Sequence, residues 1–142
     1  MINLLSNFKG KKVIITGHTG FKGSWLTIWL LHLGAKIIGI SNGIPTKPSN
    51  FESNKLKKKI NHQNFDIKNK IKLQRLINIH KPDYIFHLAA QPLVKKSYAK
   101  PSLTFETNSF GTLTLLDVLK DYKTKKICSV VIITSDKSYK NL

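Results

Sequence analysis

The stretch TGHTGFKG, Thr16 to Gly23, closes a β-branched run, KKVII (11–15), and opens an apolar, aromatic-rich one, SWLTIWLLHLG (24–34). A short apolar run ending on a glycine is what a buried strand entering a tight turn requires. Gly17 permits the sharp exit from the strand. Gly20 lets a pyrophosphate approach the backbone at a helix N-terminus, and Gly23 permits close helix–strand packing. The spacing is G-x-x-G-x-x-G rather than G-x-G-x-x-G, but the physics is the same. A strand before it and a helix after it mark this glycine turn as a dinucleotide-binding loop. His18 and Lys22 are expected to face solvent or the phosphates. In the helix, Phe21, Trp25, Ile28, Trp29 and Leu33 recur at three- and four-residue spacing, the pattern of one amphipathic face, and Gly34 stands at a C-cap position.

From this unit the pattern continues outward. AKIIGIS (35–41) reads as a second strand and NGIPTKPSN (42–50) as a loop. INHQNFDI (60–67) reads as a weak third strand. KNKIKLQRLINIHK (68–81) reads as a helix that uses Ile71, Leu73, Leu76, Ile77 and Ile79 and stops before Pro82. DYIFHLAA (83–90) is a fourth strand, QPLVKKSYAKP (91–101) a loop, SLTFETNSFGTLTLLDVLKDYK (102–123) one long helix and KICSVVIIT (126–134) a fifth strand. Strands alternating with helices predict an α/β fold, a Rossmann-type doubly wound parallel sheet in order 3-2-1-4-5, incomplete at about five strands.

The 142 residues suffice for one domain, since a chain near that length buries roughly 68–70% of its unfolded surface. Neither a membrane span nor a secretory leader is visible: the longest apolar stretch, Trp25 to Leu33, is broken by Thr27 and His32, and MINLLSNFKGKK lacks a cleavage pattern. A cytoplasmic location is expected. The net charge of +17 raises nucleic acid as a partner, but of the 24 basic residues all except Arg75 are lysine. They are scattered along the chain without the arginine forks or interleaved aromatics that base and strand recognition use, so no nucleic-acid partner is expected. Cys128, the single cysteine, sits in an apolar run and reads as a small buried hydrophobe.

Many NAD-binding folds carry an acidic residue at the end of the second strand to hold the ribose hydroxyls. Here that strand ends in Ser41 and Asn42. The neutral pair leaves the choice between NAD and NADP open.

TGHTGFKGSWL (16–26), PTKPSNFE (45–52), HLAAQPLVKKSY (87–98), ETNSFGTLTLLDVL (106–119) and TSDKSY (134–139) together resemble the CDP-glucose 4,6-dehydratases, within the extended short-chain dehydrogenase/reductases, over about residues 8–140. The related dTDP-glucose dehydratases carry Asp-Glu where this sequence has Asp136-Lys137. The resemblance implies NAD as cofactor, CDP-glucose or a related nucleotide-sugar as substrate, and a redox-neutral elimination of water giving CDP-4-keto-6-deoxyglucose. It gives Thr134 a hydrogen bond to the sugar 4-hydroxyl, Asp136 protonation of the departing 6-hydroxyl and Lys137 a part in handling the C5 proton. Such an acid and such an amine need shifted pKa values and hence a closed, dry site. It places Gly17, Gly20, Phe21 and Gly23 at the pyrophosphate, Asp66 and Ile67 at the adenine, and Leu88, Ala89, Ala90 and Gln91 along the cofactor crevice. Asn108 matches the family's structural asparagine, Ser97 and Tyr98 either touch substrate or pack a loop, and no metal is implied.

The family also uses a Tyr-x-x-x-Lys pair on the helix after the Thr134 strand. Tyr122 and Lys126 have that spacing, but they precede the strand, at the sheet edge opposite the crevice, and read as a chance match. Residues 1–142 are therefore expected to be the N-terminal portion of an NAD-binding domain, without the C-terminal substrate lobe, inactive alone as a dehydratase and homo-oligomeric in full-length form. The alternatives are a non-catalytic NAD-binding module and another nucleotide-sugar dehydratase or epimerase.

Overall fold

The computed structural model describes residues 7–124 and 126–134. Along the chain come β1 (Lys12–Thr16), α1 (Phe21–His32), β2 (Lys36–Ser41), α2 (Asn50–Ser53), β3 (Asn61–Asn64), α3 (Lys70–His80), β4 (Tyr84–His87), α4 (Val94–Ala99), α5 (Pro101–Phe105), α6 (Gly111–Lys120) and β5 (Ser129–Ile132). Every strand pair is parallel, and the sheet runs β3-β2-β1-β4-β5. The order predicted from the alternation of strands and helices is the order found. The order in which successive strands are added reverses between β1 and β4, which opens a crevice at their carboxyl ends.

The central strands β1 and β2 are buried from both sides, as their unbroken apolar runs require, whereas the edge strands β3 and β5 are partly exposed. On one face Ile14, Ile38, Ile40 and Ile85 meet Leu73, Leu76 and Ile77 of α3 and Leu115 and Val118 of α6. On the other, Val13, Ile15 and Ile37 meet Leu30 of α1 and the adjoining Leu33. At about 1.5–3 kcal/mol for each fully buried aliphatic side chain, these two clusters hold β1 at the centre and fix the turn that follows it.

Four local expectations are corrected. The buried face of α1 is Gly23, Ser24, Thr27 and Leu30, while Phe21, Trp25 and Trp29 are 76%, 55% and 59% exposed. The helix lies too close to the glycine turn for large side chains: a Cβ on Gly23 would stand 2.2 Å from the Gly17 carbonyl oxygen. The hydroxyls beneath it are satisfied within the helix, Thr27 donating to the Gly23 carbonyl at 2.8 Å and Ser24 to that of Phe21 at 2.9 Å, so their burial carries little penalty. The segment read as a loop at 91–101 contains α4, bracketed by Pro92 and by Pro101 at the first turn of α5. The expected single long helix is interrupted by a π-helical turn at Glu106–Phe110, between α5 and α6. In α3, Ile71 and Ile79 of the expected stripe are exposed, and Leu73, Leu76 and Ile77 alone make the core.

Candidate functional site

The crevice is built from the turn after β1 outward. Gly17 has φ +74°, a left-handed conformation that suits glycine, and a Cβ there would meet the Leu88 carbonyl oxygen at 2.7 Å. Its N–H donates to the Ile40 carbonyl at 2.8 Å, and the Gly20 N–H donates back to the Gly17 carbonyl at 3.1 Å, closing the turn. Gly20 differs from its two partners. A Cβ on it meets only the Gly17 oxygen at 3.3 Å, so its bareness serves the space above rather than the packing below. Gly20 caps α1 without a side-chain hydrogen bond, and no acidic side chain occupies the first turn. That helix end presents unpaired N–H groups and a positive dipole end, the donor set a pyrophosphate fits. Phe21 is exposed beside it.

Across the crevice, the Thr16 hydroxyl organises the end of β4. Its oxygen accepts from the Leu88 and Ala89 N–H groups, both at 3.1 Å, and its proton points to His87 Nδ1 at 2.8 Å. His87 is thereby a neutral imidazole that donates from Nε2 to Thr112 at 3.1 Å, and Thr112 in turn donates to the Asn108 carbonyl at 2.9 Å. Burial lowers the His87 pKa, in keeping with that neutral form. Asn108 lies in the π-helical turn; its Oδ1 accepts from the Gln91 N–H at 2.7 Å. The Gln91 side chain reaches Thr104 at 3.0 Å and both polar groups of the Leu93 backbone. The chain Thr16–His87–Thr112–Asn108–Gln91 thus holds the backbone of 88–91 in place. Thr16, His87 and Thr112 escaped the sequence reading; a Thr beside the glycine turn and a His ending a strand were the only signals.

Asp66 and Ile67 follow β3. Ile67 is buried, and a Cβ on Gly111 would stand 2.8 Å from its Cγ2. Asp66 accepts the Lys68 N–H at 2.9 Å through Oδ1, and its Oδ2 lies 3.4 Å from Asn42 Nδ2. Contrary to expectation, His18 faces neither solvent nor phosphate. It is fully buried between Gly39, Phe51 and His62, and its Nε2 lies 2.8 Å from His62 Nδ1. Burial brings its pKa down to about 4.

Thr134 is exposed just beyond β5, and the intervening Ile133 N–H donates to the His87 carbonyl at 3.1 Å, so Thr134 sits at the crevice end of the sheet. Asp136 and Lys137 lie outside the described residues. Ser97 and Tyr98 are in α4, the latter exposed, with the Ser97 hydroxyl donating to the Val94 carbonyl at 2.6 Å. Lys126 lies at the opposite sheet edge, 2.9 Å from Asp83 at the start of β4, and Tyr122 packs against the core. Cys128 is half-buried against the same cluster, and burial raises its thiol pKa. Among the described residues no helix is long and apolar enough to cross a membrane.

The pattern of the family described as GDP-mannose 4,6 dehydratase matches residues 14–141. The chain belongs to this family. Within it, the CDP-glucose 4,6-dehydratase of Salmonella typhimurium is 46% identical over 134 residues, which is 94% of this chain and 37% of that protein. Family members thus extend well beyond the length matched here. Among solved structures, the UDP-glucose 4-epimerase of Thermus thermophilus in complex with NAD is 31% identical over 78% of this chain and 34% of its own, with a TM-score of 0.68. An epimerase of Methanothermobacter thermautotrophicus is 26% identical over 97% of this chain and 39% of its own, with a TM-score of 0.76.

Proposed function

We propose that these residues form the NAD-binding portion of a CDP-glucose 4,6-dehydratase-like enzyme. The observation that carries the reading is the uncapped N-terminus of α1, fenced by Gly17, Gly20 and Gly23 and facing the braced backbone of Leu88 to Gln91. The α1 N–H groups bind the cofactor pyrophosphate, Asp66 and Ile67 border the adenine, and residues 88–91 line the far wall. NAD held there would supply the hydride acceptor and donor that a redox-neutral elimination between C4 and C6 of the sugar needs. Thr134 hydrogen-bonds the 4-hydroxyl, Asp136 delivers a proton to the departing 6-hydroxyl, and Lys137 assists at C5. The Tyr-x-x-x-Lys pair and the nucleotide-sugar lobe come from the part of the relatives' length this chain does not span. The whole enzyme is a cytoplasmic homo-oligomer in this reading.

The experiment is a chimaera. Residues 1–142 replace the aligned part of the Salmonella typhimurium relative, and the product is assayed for formation of CDP-4-keto-6-deoxyglucose from CDP-glucose. Turnover that is lost in the Asp136→Asn and Lys137→Met chimaeras is expected. A folded, NAD-loaded chimaera without turnover would contradict the dehydratase assignment and favour a binding module.

A further inference from the structure

The end of β2 lacks the acid that commonly holds the ribose hydroxyls and repels a 2′-phosphate, yet the sheet brings one there from elsewhere. Because β2 and β3 are parallel neighbours paired Ser41 to Asn64, the residues just past their carboxyl ends lie side by side. Asn42 and Asp66 occupy those places, and the Asn42 amide nitrogen stands 3.4 Å from Asp66 Oδ2. The other Asp66 oxygen is held by the Lys68 N–H, which anchors the carboxylate in the turn. With its nitrogen turned to Asp66, Asn42 Oδ1 has no hydrogen-bond partner among the described residues and is free to accept a hydroxyl proton. Around it, the Thr19 and Ser41 hydroxyls are engaged with each other and with the Gly43 carbonyl.

We propose that Asn42 and Asp66 together are the NAD-selecting element of this chain, Asn42 receiving a ribose hydroxyl and Asp66 supplying the negative charge that disfavours a 2′-phosphate. This rests on the NAD-binding reading above. The charges around the pair are mixed. Lys68 is nearest, but its ammonium is held by Glu106 at 2.8 Å. Lys47 and Lys57 line a cavity of about 350 Å³ together with Gly43, Glu52, His62 and Asn64. Those lysines are the competing attraction for a phosphate. Asp66 is hydrogen-bonded to Asn42 at the strand end itself, whereas the lysines line a cavity they share with Glu52.

The test is calorimetric titration of the chain with NAD and with NADP at low salt, for the wild type, Asp66→Asn, and the exchanged pair Asn42→Asp/Asp66→Asn. Like-charge opposition gives the wild type a preference for NAD of about tenfold or more. Asp66→Asn brings the two affinities together, and the exchanged pair restores the preference by returning the charge to the same place. The ratio is the readout, because a residue that only borders the adenine weakens both nucleotides alike. Equal wild-type affinities, or a ratio unmoved by Asp66→Asn, would overturn the proposal in favour of Lys47 and Lys57 or of a pure adenine contact. Failure of both nucleotides to bind would instead overturn the NAD-binding reading beneath it.

Discussion

Replacing Gly23 by alanine separates the packing role of the glycine turn from its ligand role. The added Cβ would stand 2.2 Å from the Gly17 oxygen and 2.8 Å from both the Gly17 carbonyl carbon and His18 Cα. All three are backbone atoms in the turn, so α1 must move away from β1 by about 1 Å, since ordinary carbon contacts begin near 3.5 Å. Overpacking of this kind costs about 1–3 kcal/mol, and loosening the Gly20-to-Gly17 hydrogen bond at 3.1 Å adds about 1 kcal/mol. The expected loss is therefore about 2–4 kcal/mol, a fall in Tm on the order of 10 °C for a chain of this size. Gly20→Ala, with one contact at 3.3 Å, is expected to melt within a few degrees of wild type while losing NAD affinity. Circular-dichroism melts and NAD titrations of the two variants check this. A Gly23→Ala protein as stable as wild type would refute the close-packing argument, and a Gly20→Ala protein that binds NAD normally would refute the approach argument.

Other outcomes follow from the same geometry. Thr16→Val leaves the Ala89 N–H and His87 Nδ1 without their partner, while the Leu88 N–H keeps the Thr16 backbone carbonyl at 3.1 Å, so chemical denaturation should show a loss of about 1–3 kcal/mol. Burial holds His18 neutral down to about pH 4, while the unfolded ring takes up its proton near 6.5. Between those values the unfolded state binds more protons, so stability is complete above pH 6.5 and falls as the pH drops toward 4, by at most about 3 kcal/mol for this group. A pH series of melts that stays flat across that interval would contradict the buried, neutral histidine. Asp83 accepts the Lys12 N–H at 2.8 Å and pairs with Lys126 at 2.9 Å, joining the starts of β1 and β4 to the approach of β5. Burial opposes its ionisation, but Lys126, the Lys12 N–H and Lys11 outweigh that and lower its pKa. Asp83→Asn should cost about 1–2 kcal/mol in a denaturant titration at neutral pH.

The strand order was readable because periodicity and crossover handedness leave few topologies for a chain that alternates βαβ. Gly17, Gly20 and Gly23 were readable for a related reason: each meets a steric demand local to one turn. The face of α1 was not. Its large apolar residues outnumber its small ones, and the preference for Gly23, Ser24 and Thr27 beneath the helix arises from how near β1 and the turn lie, a distance periodicity does not carry. The hydrogen-bonded chain from Thr16 to Gln91 was equally hidden, because it joins residues 71 apart across neighbouring strands. His18 was misplaced for want of knowledge that Gly39 leaves room for its ring. Asp66 was visible only as part of a motif, and its nearness to Asn42 depends on the parallel register of β2 and β3.

The most direct measurement is a titration of the chain with NAD followed by intrinsic fluorescence, since Trp25 and Trp29 both lie on α1, the helix whose N-terminus is the proposed pyrophosphate site. A saturable change that is abolished in Gly20→Ala is the predicted result. No change up to millimolar NAD, from a chain shown to be folded, would contradict the account.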